Sequence, residues 1–215
     1  MLTLIVEGKG EEYALPHLIK KAATNRLLPG LPNIQYIVAN GKPYILQYDA
    51  QRPIGLEGYV KRYAKQSKCF IILLDSDRTF PPYLQNQNAH DLSREYADLP
   101  ARADAAAQQY GVSVVVCWAQ WELESWLIGG LRKGEITCDK DLGYFSIRFS
   151  IPQDTTHNPR DAKLWLLRQF SKRKEEHYTP SVVECLAMHV RIDEAQRRNP
   201  TLQNFFSVLT AMAEC

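Results

Sequence analysis

Three carboxylates, Glu7, Asp75 and Asp77, stand at the ends of apolar runs: Glu7 follows Leu-Thr-Leu-Ile-Val, and Asp75-Ser76-Asp77 follows Cys-Phe-Ile-Ile-Leu-Leu. Acids gathered at the ends of neighbouring strands repel one another unless a cation neutralises them. Carboxylate oxygens are hard donors suited to Mg²⁺ or Mn²⁺, and Mg²⁺ keeps waters for a substrate phosphate. The chemistry such a site would offer is metal-assisted chemistry on a phosphate-bearing substrate. Glu11, four residues after Glu7 across Gly8-Lys9-Gly10, adds a fourth oxygen donor, although an acid in a first helical turn also simply complements the helix dipole. Glu122 and Glu124, within Trp121-Glu-Leu-Glu-Ser-Trp126, supply two more after a later apolar run. Helical positions two apart diverge by about 200°, so at most one of the pair faces a cleft. Asp75 and Asp77 also have a plainer reading, as a turn or N-cap pair after a strand.

The elements that would position these acids alternate. Leu2 to Val6 reads as a strand, Glu11 to Ala23 as a helix, Ile34 to Ala39 as a strand ending at Asn40-Gly41, Leu56 to Gln66 as a helix and Cys69 to Leu74 as a strand. A Pro-, Asn- and Gln-rich loop over Phe80 to Ala89 precedes a helix over Asp98 to Tyr110 and a strand over Val112 to Cys117. Wholly apolar strands alternating with helices predict an α/β fold, a parallel sheet covered on both faces. Ligands of such sheets gather beyond the carboxyl ends of the strands, where Glu7 and Asp75 project. After about residue 135 the alternation gives way to a short mixed segment reaching Ile151. Helices follow over Asn158 to Phe170, Pro180 to Met188 and Leu202 to Met212. This predicts an α/β core over 1–135 and a helical C-terminal extension over 136–215 packed on it.

Composition bounds the partners. The 215 residues are 45% apolar, enough for a real core. A net charge of +2 neither supports nor excludes a nucleic-acid partner. The five cysteines (Cys69, Cys117, Cys138, Cys185 and Cys215) form no CxxC pair, and two of them, Cys69 and Cys117, lie inside apolar strand-like runs where free thiols behave as small hydrophobes, so we expect no structural zinc and a reducing, cytoplasmic home. No signal peptide or membrane span is expected. The five histidines are scattered without metal spacing. Trp118, Trp121 and Trp126 could stack on bases, but tryptophans near helical spacing more often pack.

LIVEGKGEE followed by IILLDSD resembles the Toprim domain, which carries a glutamate after its first strand and an Asp-x-Asp after a later one, as in topoisomerases, primases and OLD-type nucleases. The similarity is to the OLD-like branch, where a second acid follows the first by four positions, as Glu11 follows Glu7. CWAQWELESWLIGGL, NPRDAK, a tyrosine, HVRID and a Phe-containing last helix resemble a bacterial Toprim-like group, the domain-of-unknown-function family numbered 4276, over most of the chain. Gly10 stands where that group often has threonine, and Thr179-Pro180 where a lysine often follows the tyrosine. The resemblance implies a Toprim-like Rossmannoid sheet and a metal-dependent nuclease acting on DNA or RNA. It implies that the Glu122-x-Glu124 element belongs to the site, and that Lys163 stabilises charge developing on the scissile phosphate. A solvated helix lysine is the plain alternative for Lys163. Family company also implies bacterial defence with an ABC-type ATPase partner.

Two rivals stand beside this reading. One is a Toprim scaffold without catalysis that binds or regulates such an ATPase. The other is a haloacid-dehalogenase-type phosphatase, because Asp75-Ser76-Asp77-Arg78-Thr79 fits DxDxT after an apolar strand, with Asp75 as nucleophile and Asp77 as general acid. That rival leaves Glu7 unexplained. It also lacks a later Gly-Asp or Asp-Asp pair. A topoisomerase would need a tyrosine nucleophile in a DNA-gate domain, which is not recognisable here.

Overall fold

The structure is a computed structural model and describes residues 1–49, 51–76, 98–119, 121–138, 147–151, 162–169 and 179–213. The expected Phe80 to Ala89 loop and Asp77 lie outside the described residues.

Four parallel strands, β1 (Leu2–Val6), β2 (Ile34–Val38), β3 (Cys69–Asp75) and β4 (Ser113–Ala119), form one sheet in the order β2-β1-β3-β4. β1 is buried throughout, β3 is buried except at Asp75, and the edge strand β2 is half-buried. An interior parallel strand meets water on neither face, which explains the unbroken apolar runs. Residues of alternate parity feed two cores: Leu4, Val6, Ile71 and Leu73 on one face, Ile5, Ile72 and Leu74 on the other.

Helices α1 (Lys9–Thr24), α2 (Lys42–Leu46), α3 (Gly55–Tyr63) and α4 (Leu99–Tyr110) connect or follow these strands. Leu15 and Leu18 of α1 enter the first core, whereas Leu56 and Val60 of α3 and Leu99 and Ala103 of α4 enter the second. The second face is pinned by Arg102. Its guanidinium donates to both carboxylate oxygens of Glu57 at 2.7 Å and to the carbonyls of Leu46 at 2.9 Å and Gln47 at 2.7 Å.

Beyond β4 come α5 (Leu123–Gly130), the antiparallel pair β5 (Gly134–Cys138) and β6 (Ile147–Ile151), and then α6 (Ala162–Arg168), α7 (Pro180–His189), α8 (Ile192–Arg198) and α9 (Pro200–Met212). The β5–β6 pair falls in the stretch read from sequence only as mixed. Leu186 of α7, Ile192 of α8 and Phe205 of α9 share the first core with α1 and the sheet. Trp126 of α5 is fully buried there; its indole N–H donates to the Thr201 hydroxyl at 2.9 Å and its ring lies 5.4 Å from that of Phe205. The α5–α8 approach requires glycine: a Cβ on Gly130 would stand 2.5 Å from Val190 Cγ1 and 2.7 Å from the Arg191 carbonyl oxygen.

Cys69 and Cys185 are disulfide-bonded, while Cys117 is a buried free thiol whose pKa burial pushes up to about 12. Of the two cysteines inside apolar strands expected as free thiols, Cys117 is one and Cys69 is not. Disulfides persist in oxidising surroundings, so the cysteines lend no support to a reducing compartment. No helix among the described residues is long and apolar enough to cross a membrane.

Candidate functional site at the carboxyl edge of the sheet

From β1 the chain passes to β2 on one side, then crosses to β3 on the other. The gap between the carboxyl ends of β1 and β3 is therefore the topological switch point, where open parallel sheets leave a crevice. Glu7 is the first residue after β1 and Asp75 the last of β3. The two meet there: the Asp75 backbone N–H donates to Glu7 Oε1 at 2.6 Å.

Lys42, which sequence reasoning missed, joins them. The chain leaving β2 turns back over Glu7, with Gly41 N–H donating to the Glu7 carbonyl at 2.7 Å, and Asn40 and Gly41 taking positive φ of 61° and 122°. This turn sets Lys42 at the start of α2, where its ammonium donates to the Asp75 carbonyl at 2.6 Å and lies 3.6 Å from Glu7 Oε1. The signal available in sequence was its place just after β2, which neighbours β1 and so ends at the same edge.

Asp75 also organises the next element. Its Oδ1 accepts from the N–H of Leu123, the first residue of α5, at 2.9 Å, so a β3 carboxylate closes the helix start where a local cap would sit. Ser76 braces the same corner, with its N–H on the Ala119 carbonyl at 3.0 Å and its Oγ accepting from Trp121 N–H at 2.8 Å. Trp121 adopts a left-handed backbone, φ 63°, unusual for a bulky side chain and typical of sites held in place by their surroundings.

Glu11 reaches back over the first turn of α1, its Oε2 accepting from the N–H of the N-cap Gly8 at 3.1 Å. Burial raises its pKa to about 7, against the lowering effect of backbone hydrogen bonds and with added repulsion from Glu124 and Glu7. Asp75 is likewise held well above the ordinary carboxylate range, by burial first and then by the charges of Glu7, Glu11 and Glu124, with Lys42 opposing. Glu7, Glu11, Asp75 and Glu124 therefore form one electrostatic group.

Glu122 makes a different contact. It is the extended N-cap residue of α5 rather than part of the helix, and its Oε2 accepts from the backbone N–H of Lys163 at 2.7 Å, strapping α5 to the start of α6. Lys163 is exposed. Of the two acids left open by sequence, Glu124 faces the carboxylate group. Asp77 lies outside the described residues. Trp118 and Trp126 are buried, 4% and 0% exposed, which removes both as base-stacking platforms; Trp121 is half-buried.

Among the described residues no three His, Cys, Asp or Glu side chains are grouped closely enough to hold a metal ion. The donor chemistry nevertheless suits a hard cation. All four groups offer oxygen, and one oxygen each of Glu7, Glu11 and Asp75 is oriented by a backbone N–H. Mg²⁺ commonly takes only one or two carboxylates together with water and substrate phosphate. In comparisons with known proteins, the chain matches no family model, no curated protein and no solved structure.

Proposed function

We propose that the chain is a Mg²⁺- or Mn²⁺-dependent phosphodiesterase acting on nucleic acid, of the Toprim, OLD-like kind that its motifs resemble. The observation that carries the reading is the hydrogen-bonded meeting of Glu7 and Asp75 at the switch point, with Glu11 and Glu124 in the same electrostatic group. Four acids opposed among the described residues by Lys42 leave negative charge that a divalent cation would offset, and open α/β sheets bind ligands at this crevice. Glu7 and Asp75, with Glu11, Glu124 and the sequence candidate Asp77, would hold the cation. Once bound, it would supply Lewis-acid stabilisation of a phosphodiester and a water nucleophile of lowered pKa.

The chain's own groups have defined parts in this reading. Lys42 holds Glu7 and the Asp75 carbonyl and brings positive charge to the edge where a phosphate would approach. Glu11, with a pKa of about 7, exchanges a proton near neutrality. The Leu123 N–H keeps the Asp75 carboxylate aimed. Glu122 ties α5 to α6 through the Lys163 backbone N–H, which fixes where both residues stand relative to the edge.

The test is cleavage of plasmid, single-stranded DNA and tRNA with Mn²⁺ or Mg²⁺, comparing the wild type with Glu7→Gln. Wild-type cleavage that disappears in EDTA and falls by roughly a hundredfold or more in Glu7→Gln is expected, the scale of losing a preorganised charge-stabilising group. Cleavage that persists in the variant removes Glu7 from the site. Absence of cleavage on every substrate, with and without an ABC-type ATPase partner, favours a binding scaffold over an enzyme.

A further inference from the structure

We propose that the recess between α2 and α3 takes one unstacked base of a single-stranded nucleic acid whose backbone continues to the carboxylates. This names the substrate class and rests on the phosphodiesterase reading. The recess has a volume of about 230 Å³ and is lined by Tyr44, Gln47, Ile54, Tyr59 and Arg62 among others. It is smaller than the roughly 300 Å³ at which drug-sized pockets begin, and suits a single planar heterocycle.

Its position ties it to the carboxylates. Tyr44 shares α2 with Lys42, whose ammonium holds Glu7 and the Asp75 carbonyl. The Tyr59 hydroxyl donates to the carbonyl of Ala39, just beyond β2, at 3.4 Å. Residues two apart on a helix point to nearly opposite sides, so the recess and the acids are separated by about the ~10 Å width of α2. A few nucleotides of strand cover that distance.

The walls are preformed. Arg102 clamps the carbonyls of Leu46 and Gln47 and the Glu57 carboxylate. Gly55, at φ 60°, lets the chain close on itself: a Cβ there would stand 2.0 Å from the Gln47 carbonyl oxygen. Little ordering is left to offset binding. Yet apolar surface stays open to solvent in this fixed frame, with Tyr44 54% and Ile54 38% exposed.

Charge selects the occupant. Residues 42–68 hold six Lys and Arg (Lys42, Arg52, Lys61, Arg62, Lys65 and Lys68) against two acids, Asp49 and Glu57, while the entire chain is only +2. Glu57 is already paired with Arg102. Among the described residues lining the recess there is one cation, Arg62, and no carboxylate. An aromatic face beside an arginine in a basic field recognises a planar base carried on an anionic backbone. The Gln47 amide offers both a donor and an acceptor for the base edge. An acidic peptide would satisfy the charge but leave the Tyr44 face unused, and a duplex keeps its bases stacked.

The experiment is fluorescence anisotropy of the full chain with a labelled oligothymidylate, an abasic strand of equal length and a duplex, all in EDTA. The wild type is expected to bind the oligothymidylate most tightly. Tyr44→Ala should weaken that binding about tenfold, as loss of one base stack does, and leave abasic binding unchanged. Tyr44→Phe, which keeps the ring, should bind as wild type, and so should Tyr13→Ala, which removes a comparably exposed tyrosine on α1. Abasic or duplex binding as tight as oligothymidylate binding overturns the proposal, as does a Tyr44→Ala variant equal to wild type. Since EDTA prevents cleavage, a wild type that binds in this pattern but never cleaves with Mn²⁺ sinks the phosphodiesterase reading alone.

Discussion

Asp75→Asn is expected to make the protein more stable without metal and to remove the response to metal. The asparagine carbonyl can still accept from Leu123 N–H, so the α5 start survives while a buried charge repelled by Glu7, Glu11 and Glu124 disappears. In EDTA the melting temperature of the variant should exceed that of the wild type by a margin that grows as pH rises and the wild-type Asp75 ionises, at ~2–4 °C per kcal/mol for a chain of this size. Saturating Mn²⁺ should stabilise the wild type, by about 2.7 kcal/mol at a hundredfold excess over Kd, and leave the variant almost unmoved. The pH dependence has a definite sign. Asp75 and Glu11 have raised folded pKa values, so the folded state binds more protons than the unfolded one between the ordinary carboxylate range and those values. Stability in EDTA therefore falls as pH rises, for Glu11 from 4.5 through about 7, a loss of up to roughly 3 kcal/mol. Metal binding runs the opposite way, strengthening with pH as protons leave the same oxygens. Differential scanning fluorimetry over pH 5 to 8, with and without Mn²⁺, reads both; a wild type whose metal response is flat with pH contradicts the assignment.

Trp126→Ala should cost about 3–5 kcal/mol, the range for truncating a large buried aromatic. The cavity would open between α5 and α9, where the indole now meets Phe205, and would leave the Thr201 hydroxyl without its indole donor. Because α5 carries both Leu123 and Glu124, the effect should reach the site as weaker Mn²⁺ binding in the surviving folded fraction. A base-stacking tryptophan would give the reverse pattern, unchanged melting with weaker nucleic-acid binding. Chemical denaturation of the variant separates the two.

The sheet was legible because a parallel sheet writes itself as wholly apolar runs, and Glu7 and Asp75 were legible because they terminate two of them. Lys42 was not: α2 has five residues and follows an Asn-Gly turn, too short for any periodicity to emerge. The choice between Glu122 and Glu124 was open because helical geometry was applied to both, whereas Glu122 is an extended N-cap turned toward α6. The strands β5 and β6 are five residues each, and α8 has seven residues ending at Arg198, just before Asn199-Pro200. Segments of that length give weak patterns. The half-cystines Cys69 and Cys185 could not be told from buried thiols, since spacing alone does not reveal pairing.

The central claim is that the carboxyl edge of β1 and β3 binds a divalent cation, and an anomalous-difference map from crystals soaked in Mn²⁺ addresses it directly. A strong peak in contact with the Glu7 and Asp75 carboxylates is predicted, vanishing in Asp75→Asn crystals soaked alike. An edge that stays empty, with Glu7 still on the Asp75 N–H and Lys42 undisturbed, would contradict it.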